Sequence, residues 1–148
     1  MRNGRRLLLA IATPLAMMSL AAPAAAAVIN VVKTATCGCC GKWVEHMKKA
    51  GHDVRVTNVE DVTPTARRLG VPDDLRSCHT SSVGGYAIEG HVPAADIARL
   101  LREKPKVAGI AVPGMVAGSP GMEVSGRTQA YQTIVFTRDG KRKVFAQH

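Results

Sequence analysis

Three cysteines stand within four positions, Cys37-Gly38-Cys39-Cys40, shortly after the apolar run Val28-Ile29-Asn30-Val31-Val32. A packed interior accepts single cysteines as small apolar residues, but three so close cannot all point into one core. Thiols at this density either exchange disulfides or bind a soft metal. The local fold must therefore present them together at a surface or cleft.

What free cysteines do depends on their compartment. Met1-Arg2-Asn3-Gly4-Arg5-Arg6 carries positive charge and no acid; an apolar stretch runs from Leu7 to Leu20, and Ala21-Ala22-Pro23-Ala24-Ala25-Ala26-Ala27 follows. A basic start, a short apolar middle and a small-residue exit predict a cleaved secretory signal over residues 1–27, leaving one domain over 28–148. Thr13, Pro14 and Ser19 interrupt the apolar stretch, which argues against a retained membrane span. The mature chain is expected to be periplasmic, with no stable membrane insertion, in a space where disulfides persist.

Losing Arg2, Arg5 and Arg6 with the signal takes Lys+Arg from 20 to 17 against 11 acids, a net charge of about +6. The basic residues are scattered, and Trp43, Tyr86, Tyr131, Phe136 and Phe145 leave little to stack bases upon. That combination reads as solvated faces and predicts no nucleic-acid partner.

Periodicity supplies the elements. Val28–Lys33 reads as a buried strand. Cys39–Ala50 reads as a helix with Trp43, Val44 and Met47 on its apolar face, stopped by Gly51. Asp53–Val59 alternates as a second strand, and Thr63-Pro64 opens a short helix through Leu69. Gly84–Glu89 is expected to be a third strand, and Pro93 precedes a helix over Ala94–Glu103. Thr133–Thr137 and Lys143–Ala146 flank Arg138-Asp139-Gly140 as a hairpin.

A strand, a Cys-x-x-Cys opening a helix, a strand, a helix and a final hairpin give an α/β, thioredoxin-like order. The unit over Gly84–Glu103 is either an insertion into it or an alternative central piece. Cys37 and Cys40 form the Cys-x-x-Cys, with Cys39 between them. A helix N-terminus favours thiolate through its unpaired N–H groups.

Further soft donors lie downstream. Ser77-Cys78-His79-Thr80, expected in a turn, adds a fourth thiol beside an imidazole, and His91 precedes a helix. Lys104–Ala130 has little regular pattern and carries Pro113-Gly114-Met115 and Pro120-Gly121-Met122, so it reads as a long functional loop. Cysteine, histidine and methionine together suit Cu(I). Each has a plainer reading: Cys78 as a structural disulfide partner, the histidines as hydrogen-bonded residues, the methionines as packing.

Five segments stand in an order that resembles one family. They are Cys37–Trp43, Ser77–Thr80, Gly85–Pro93, Ala111–Met115 and Gly118–Glu123. Together they are similar to the CopG-like periplasmic copper-resistance proteins, long known only as a domain of unknown function. Val116 departs from the proline expected after the first Pro-Gly-Met. The resemblance implies a thioredoxin-like domain that gathers copper as Cu(I)-thiolate, in mononuclear or multinuclear form, with Cu(I)/Cu(II) interconversion among its roles. Copper efflux or oxidase proteins would be its neighbours.

Carried over by position, Cys37, Cys39, Cys40 and Cys78 are the thiol ligands. His79, His91, Met115 and Met122 lie in family motifs as candidate ligands. Two other readings stay open at this level: a thiol–disulfide oxidoreductase using Cys37 and Cys40, and a disulfide-stapled structural domain.

Overall fold

A computed structural model describes residues 27–124 and 126–148. The predicted signal falls on residues 1–27, all but Ala27 outside the described residues. Among the described residues, no helix is long and apolar enough to cross a membrane.

Strand β1, Val28–Thr34, buries Ile29 and Val31 on alternate positions. Helix α1, Gly38–Lys49, follows with Cys37 at its N-cap and buries Cys40, Trp43, Val44 and Met47. Those positions recur at three- and four-residue spacing, so one stripe faces the sheet. The chain returns as β2, Asp53–Val59, parallel to β1. Helix α2, Thr63–Leu69, takes Pro64 in its first turn and is capped by Gly70 in the left-handed conformation. Strand β3, His79–Val83, lies antiparallel to β1, and β4, Tyr86–Glu89, lies antiparallel to β3. Gly84 and Gly85, both at positive φ, make the two-residue turn between them. Helix α3, Ala94–Glu103, then carries the chain to β5, Gly109–Ala111, parallel to β4. After a long connection, β6, Gln132–Phe136, and β7, Arg142–Gln147, close as an antiparallel hairpin.

These seven strands form one sheet in the order β2-β1-β3-β4-β5-β6-β7. Its two faces carry separate apolar clusters. Trp43, Val44 and Met47 of α1 and Ile97 and Leu100 of α3 pack with Ile88 and Ile110 on one face. Ala66 of α2 packs with Ala87, Ala111 and Phe136 on the other. The architecture is thus a mixed α/β sheet with helices on both sides.

Three expectations need revision. The Cys78-His79-Thr80 segment is not a turn, because His79 and Thr80 open β3 and are fully buried. The third strand is shorter than Gly84–Glu89, since the two glycines form the turn. Of the two placements open for the Gly84–Glu103 unit, the insertion gives way to the central piece: β4 occupies the middle position of the sheet. Within the irregular stretch 104–130, Gly109–Ala111 pairs on both sides as β5.

Gly109 is where this sheet has no room. A Cβ there would overlap the Ala87 carbonyl and lie 2.9 Å from the Ala87 Cβ. Gly109→Ala is expected to destabilise the fold by about 2 kcal/mol through overpacking, read as a lowered urea midpoint at unchanged slope.

Candidate metal centre

The strand directions bring the cysteines together. Strands β1, β4 and β5 run the same way and end at one edge of the sheet, where antiparallel β3 begins. Cys37–Cys40 follow β1, Cys78 precedes β3, His91 follows β4 and Pro113-Gly114-Met115 follows β5. Ligand sites in α/β sheets gather at such carboxyl ends.

All four Sγ atoms lie within 4.8 Å of one another. Cys37 and Cys40 are joined as a disulfide, while Cys39 and Cys78 are free thiols. Cys39 Sγ is 3.5 Å from Cys37 Sγ and 3.9 Å from Cys78 Sγ. Cys78, His79 and His91 form a second group of the same compactness.

Both imidazoles are fully buried. His91 Nδ1 lies 2.8 Å from the Pro120 carbonyl. A carbonyl only accepts, so Nδ1 carries the proton and Nε2 presents its lone pair to Cys78 Sγ, 3.0 Å away. An imidazole fixed in this way is oriented as metal ligands are, through the bond made by its other nitrogen. His79 sits with Nδ1 3.5 Å from Cys78 Sγ and with Nε2 unpartnered. Its ring packs 4.6 Å from Trp43 and edge-on to His91.

Burial sets the charge states. It lowers the His79 pKa to about 3, helped by His91 and Lys33, and it lowers His91 as well. Both rings are neutral and hold lone pairs at physiological pH. Burial, with Cys39 alongside, pushes the Cys78 thiol up to about 12. Without a cation Cys78 therefore stays protonated. A metal bound there must displace this proton.

Two loops close over the thiols by way of their glycines. Gly114 N–H donates to the Arg76 carbonyl and its own carbonyl accepts from the Ser77 hydroxyl, next to Cys78. Gly121, at φ +86°, lies against α1 so closely that a Cβ would stand 2.7 Å from the Cys39 carbonyl and the Trp43 nitrogen. Each Pro-Gly-Met turn is thus anchored beside a different free cysteine. Met115 projects outward, 60 % exposed, and Met122 is half-buried.

Two solved structures are similar to the whole domain. "Copper resistance protein copG- Form 2" shares 45% identity, covers 83% of this chain and 98% of its own, and superposes with a TM-score of 0.79. Form 1 gives 45% identity, 82% and 96% coverage and a TM-score of 0.77. The chain belongs to the CopG-like copper-resistance family. A family model described as "Protein of unknown function, DUF411" also matches residues 75–122, a span that holds Cys78, His79, His91 and both methionines. No curated protein matches the chain.

The structure adds to this CopG-like site residues that the sequence left unassigned. Glu89 is fully buried and accepts from the Ser77 backbone N–H at 2.7 Å and the Thr80 hydroxyl at 2.6 Å. Arg76 Nε lies 3.5 Å from the same carboxylate. Burial raises the Glu89 pKa, while those partners pull it back down. The carboxylate brackets Cys78 and fixes it against β4. An acid within an apolar strand was the available signal. Trp43, read as packing, does pack, and it also walls His79 while its indole N–H donates to the Val92 carbonyl. His52 stays outside the site, and His148 pairs with Asp96 elsewhere.

Glu89→Ala would leave the Ser77 N–H, the Thr80 hydroxyl and Arg76 without their buried partner. The expected loss is about 3 kcal/mol of stability, measured by urea unfolding. Faster alkylation of Cys78 in the folded variant is expected alongside it.

Proposed function

We propose that the chain is an exported copper-binding protein of copper resistance, holding Cu(I) through the thiolates of Cys37, Cys39, Cys40 and Cys78. The observation that carries this reading is the convergence of four Sγ atoms within 4.8 Å. Adjacent Cys39 and Cys40 would strain to chelate one ion but suit sulfurs that bridge several, so the reading extends to a multinuclear cluster. His91, His79, Met115 and Met122 complete or gate it as soft and borderline donors. The copper-resistance relatives support the metal, and the donor set supports its Cu(I) state.

In the same reading, residues 1–27 are a cleaved signal and 28–148 the periplasmic domain. The order β1-α1-β2-α2-β3-β4-α3 supports a thioredoxin-like core extended by β5, β6 and β7. Copper efflux or oxidase proteins are the partners that this role calls for.

One observation favours a second reading, a thiol–disulfide oxidoreductase: the Cys37–Cys40 disulfide itself. Forming it from two thiols releases two electrons and two protons. Two electrons reduce two Cu(II) to Cu(I), so this chemistry and copper interconversion are compatible at one site. Cys39 and Cys78 remain thiols in that state, which disfavours a purely structural, fully stapled domain.

Anaerobic loading of the fully reduced chain with Cu(I), against a competing chelator, decides between them. Several tightly held ions per chain are expected, with stoichiometry lowered by Cys39→Ser and by Cys78→Ser. Absence of tight binding, with Cys37 and Cys40 cycling between dithiol and disulfide on a protein substrate, would transfer the assignment to the oxidoreductase.

A further inference from the structure

A second donor pair sits beside the thiols and differs from them in kind. His46 Nε2 lies 2.6 Å from Glu123 Oε1, with both side chains about half exposed. His46 follows Cys39 by seven residues on α1, which places it on the same helix face about 10 Å further along. Glu123 is brought there by the loop that closes the site. The Pro120 carbonyl is held by His91, Gly121 rests on the backbone of Cys39 and Trp43, and Gly121 N–H donates to Glu123 Oε1 at 2.9 Å. A continuous run of contacts therefore links Cys78 through His91 and residues 120–123 to His46.

An exposed ion pair of this kind contributes little to stability, about 0–1 kcal/mol. Its chemistry is more informative. Imidazole nitrogen and carboxylate oxygen are the donors preferred by Cu(II) in tetragonal sites, whereas thiolates prefer Cu(I). Two cis donors, each about 2.0 Å from one ion, stand roughly 2.8 Å apart. The pair is already at nearly that separation, so an ion replaces the proton between them with little movement. The backbone N–H on Glu123 fixes the carboxylate, as outer partners of metal ligands do. Exposure leaves further coordination positions to water or to the ligand that delivers the ion.

The geometry points to His46 and Glu123 as a cupric capture site at the rim, receiving Cu(II) before it reaches the thiols. This inference rests on the copper reading above and names the oxidation state and the entry point for that same site. The donor set changes from nitrogen and oxygen outside to sulfur inside. The arriving ion thus meets ligands that suit its oxidised form first and its reduced form second.

The test uses the full chain with the Cys37–Cys40 disulfide formed and Cys39 and Cys78 alkylated, so that added Cu(II) is not reduced. Electron paramagnetic resonance during Cu(II) titration is expected to show one tetragonal site with nitrogen hyperfine coupling. His46→Gln and Glu123→Gln should each weaken it tenfold or more, with circular dichroism unchanged, while His52→Gln leaves it unaltered. No such site in the parent chain, or the same affinity in His46→Gln, would overturn the inference. Anaerobic Cu(I) loading of the unmodified, reduced chain is measured in parallel. Failure there overturns the thiolate reading, whereas normal Cu(I) loading with a Cu(II) signal indifferent to His46 overturns the rim site alone.

Discussion

The buried carboxylate of Glu89 is the contact on which the centre depends. It comes from the middle strand of the sheet and takes hydrogen bonds from Ser77 and Thr80 on either side of Cys78. A carboxylate in that position is costly to bury unless its partners are complete. Once they are, it fixes Cys78 opposite the first turn of α1. The other thiols owe their positions to local geometry, because a strand end and a helix start hold Cys37, Cys39 and Cys40 in sequence. Cys78 is the long-range member, 38 residues from Cys40, and only tertiary bonds of this kind can place it.

Around that pin the two imidazoles are buried and the polar groups beside them are specified. Neutral, oriented imidazoles and a protonated thiol make a set of donors that carries little charge until a cation arrives. The fixed tautomer of His91 is the clearest instance: one carbonyl on the closing loop decides which nitrogen faces sulfur. The loop over residues 113–123 is thus part of the centre rather than a cover laid over it. Both of its Pro-Gly turns meet backbone groups beside a free cysteine, and Gly121 meets them too closely for any side chain.

Much of this was legible in the chain. The helical spacing of Trp43, Val44 and Met47, the alternation in β2 and the final hairpin all appear where periodicity puts them. The cysteines, His79 and His91 also converge as their clustering in motifs suggested. Strand β3 was hidden because His79-Thr80-Ser81-Ser82 is polar and does not alternate; burial by neighbouring strands, not local preference, makes it a strand. Strand β5 is three residues long and offers no period. Glu89, the Pro120 carbonyl and the approach of Gly121 to α1 are tertiary facts, and single residues rarely announce such contacts. His46 gains meaning only when the loop brings Glu123 to it.

The sheet has a working end and an idle one. Strand β6 pairs Phe136 with Gly109 at the start of β5, so the Arg138-Asp139-Gly140 turn lies at the opposite end from the cysteines, as does the Gly84-Gly85 turn. Those two turns are natural points of attachment. A surface tether, a fluorescent reporter or a fused domain joined at Asp139 would leave the thiol mouth facing free solution. The molecule's polarity thus makes it suited to immobilisation without redesign of its centre.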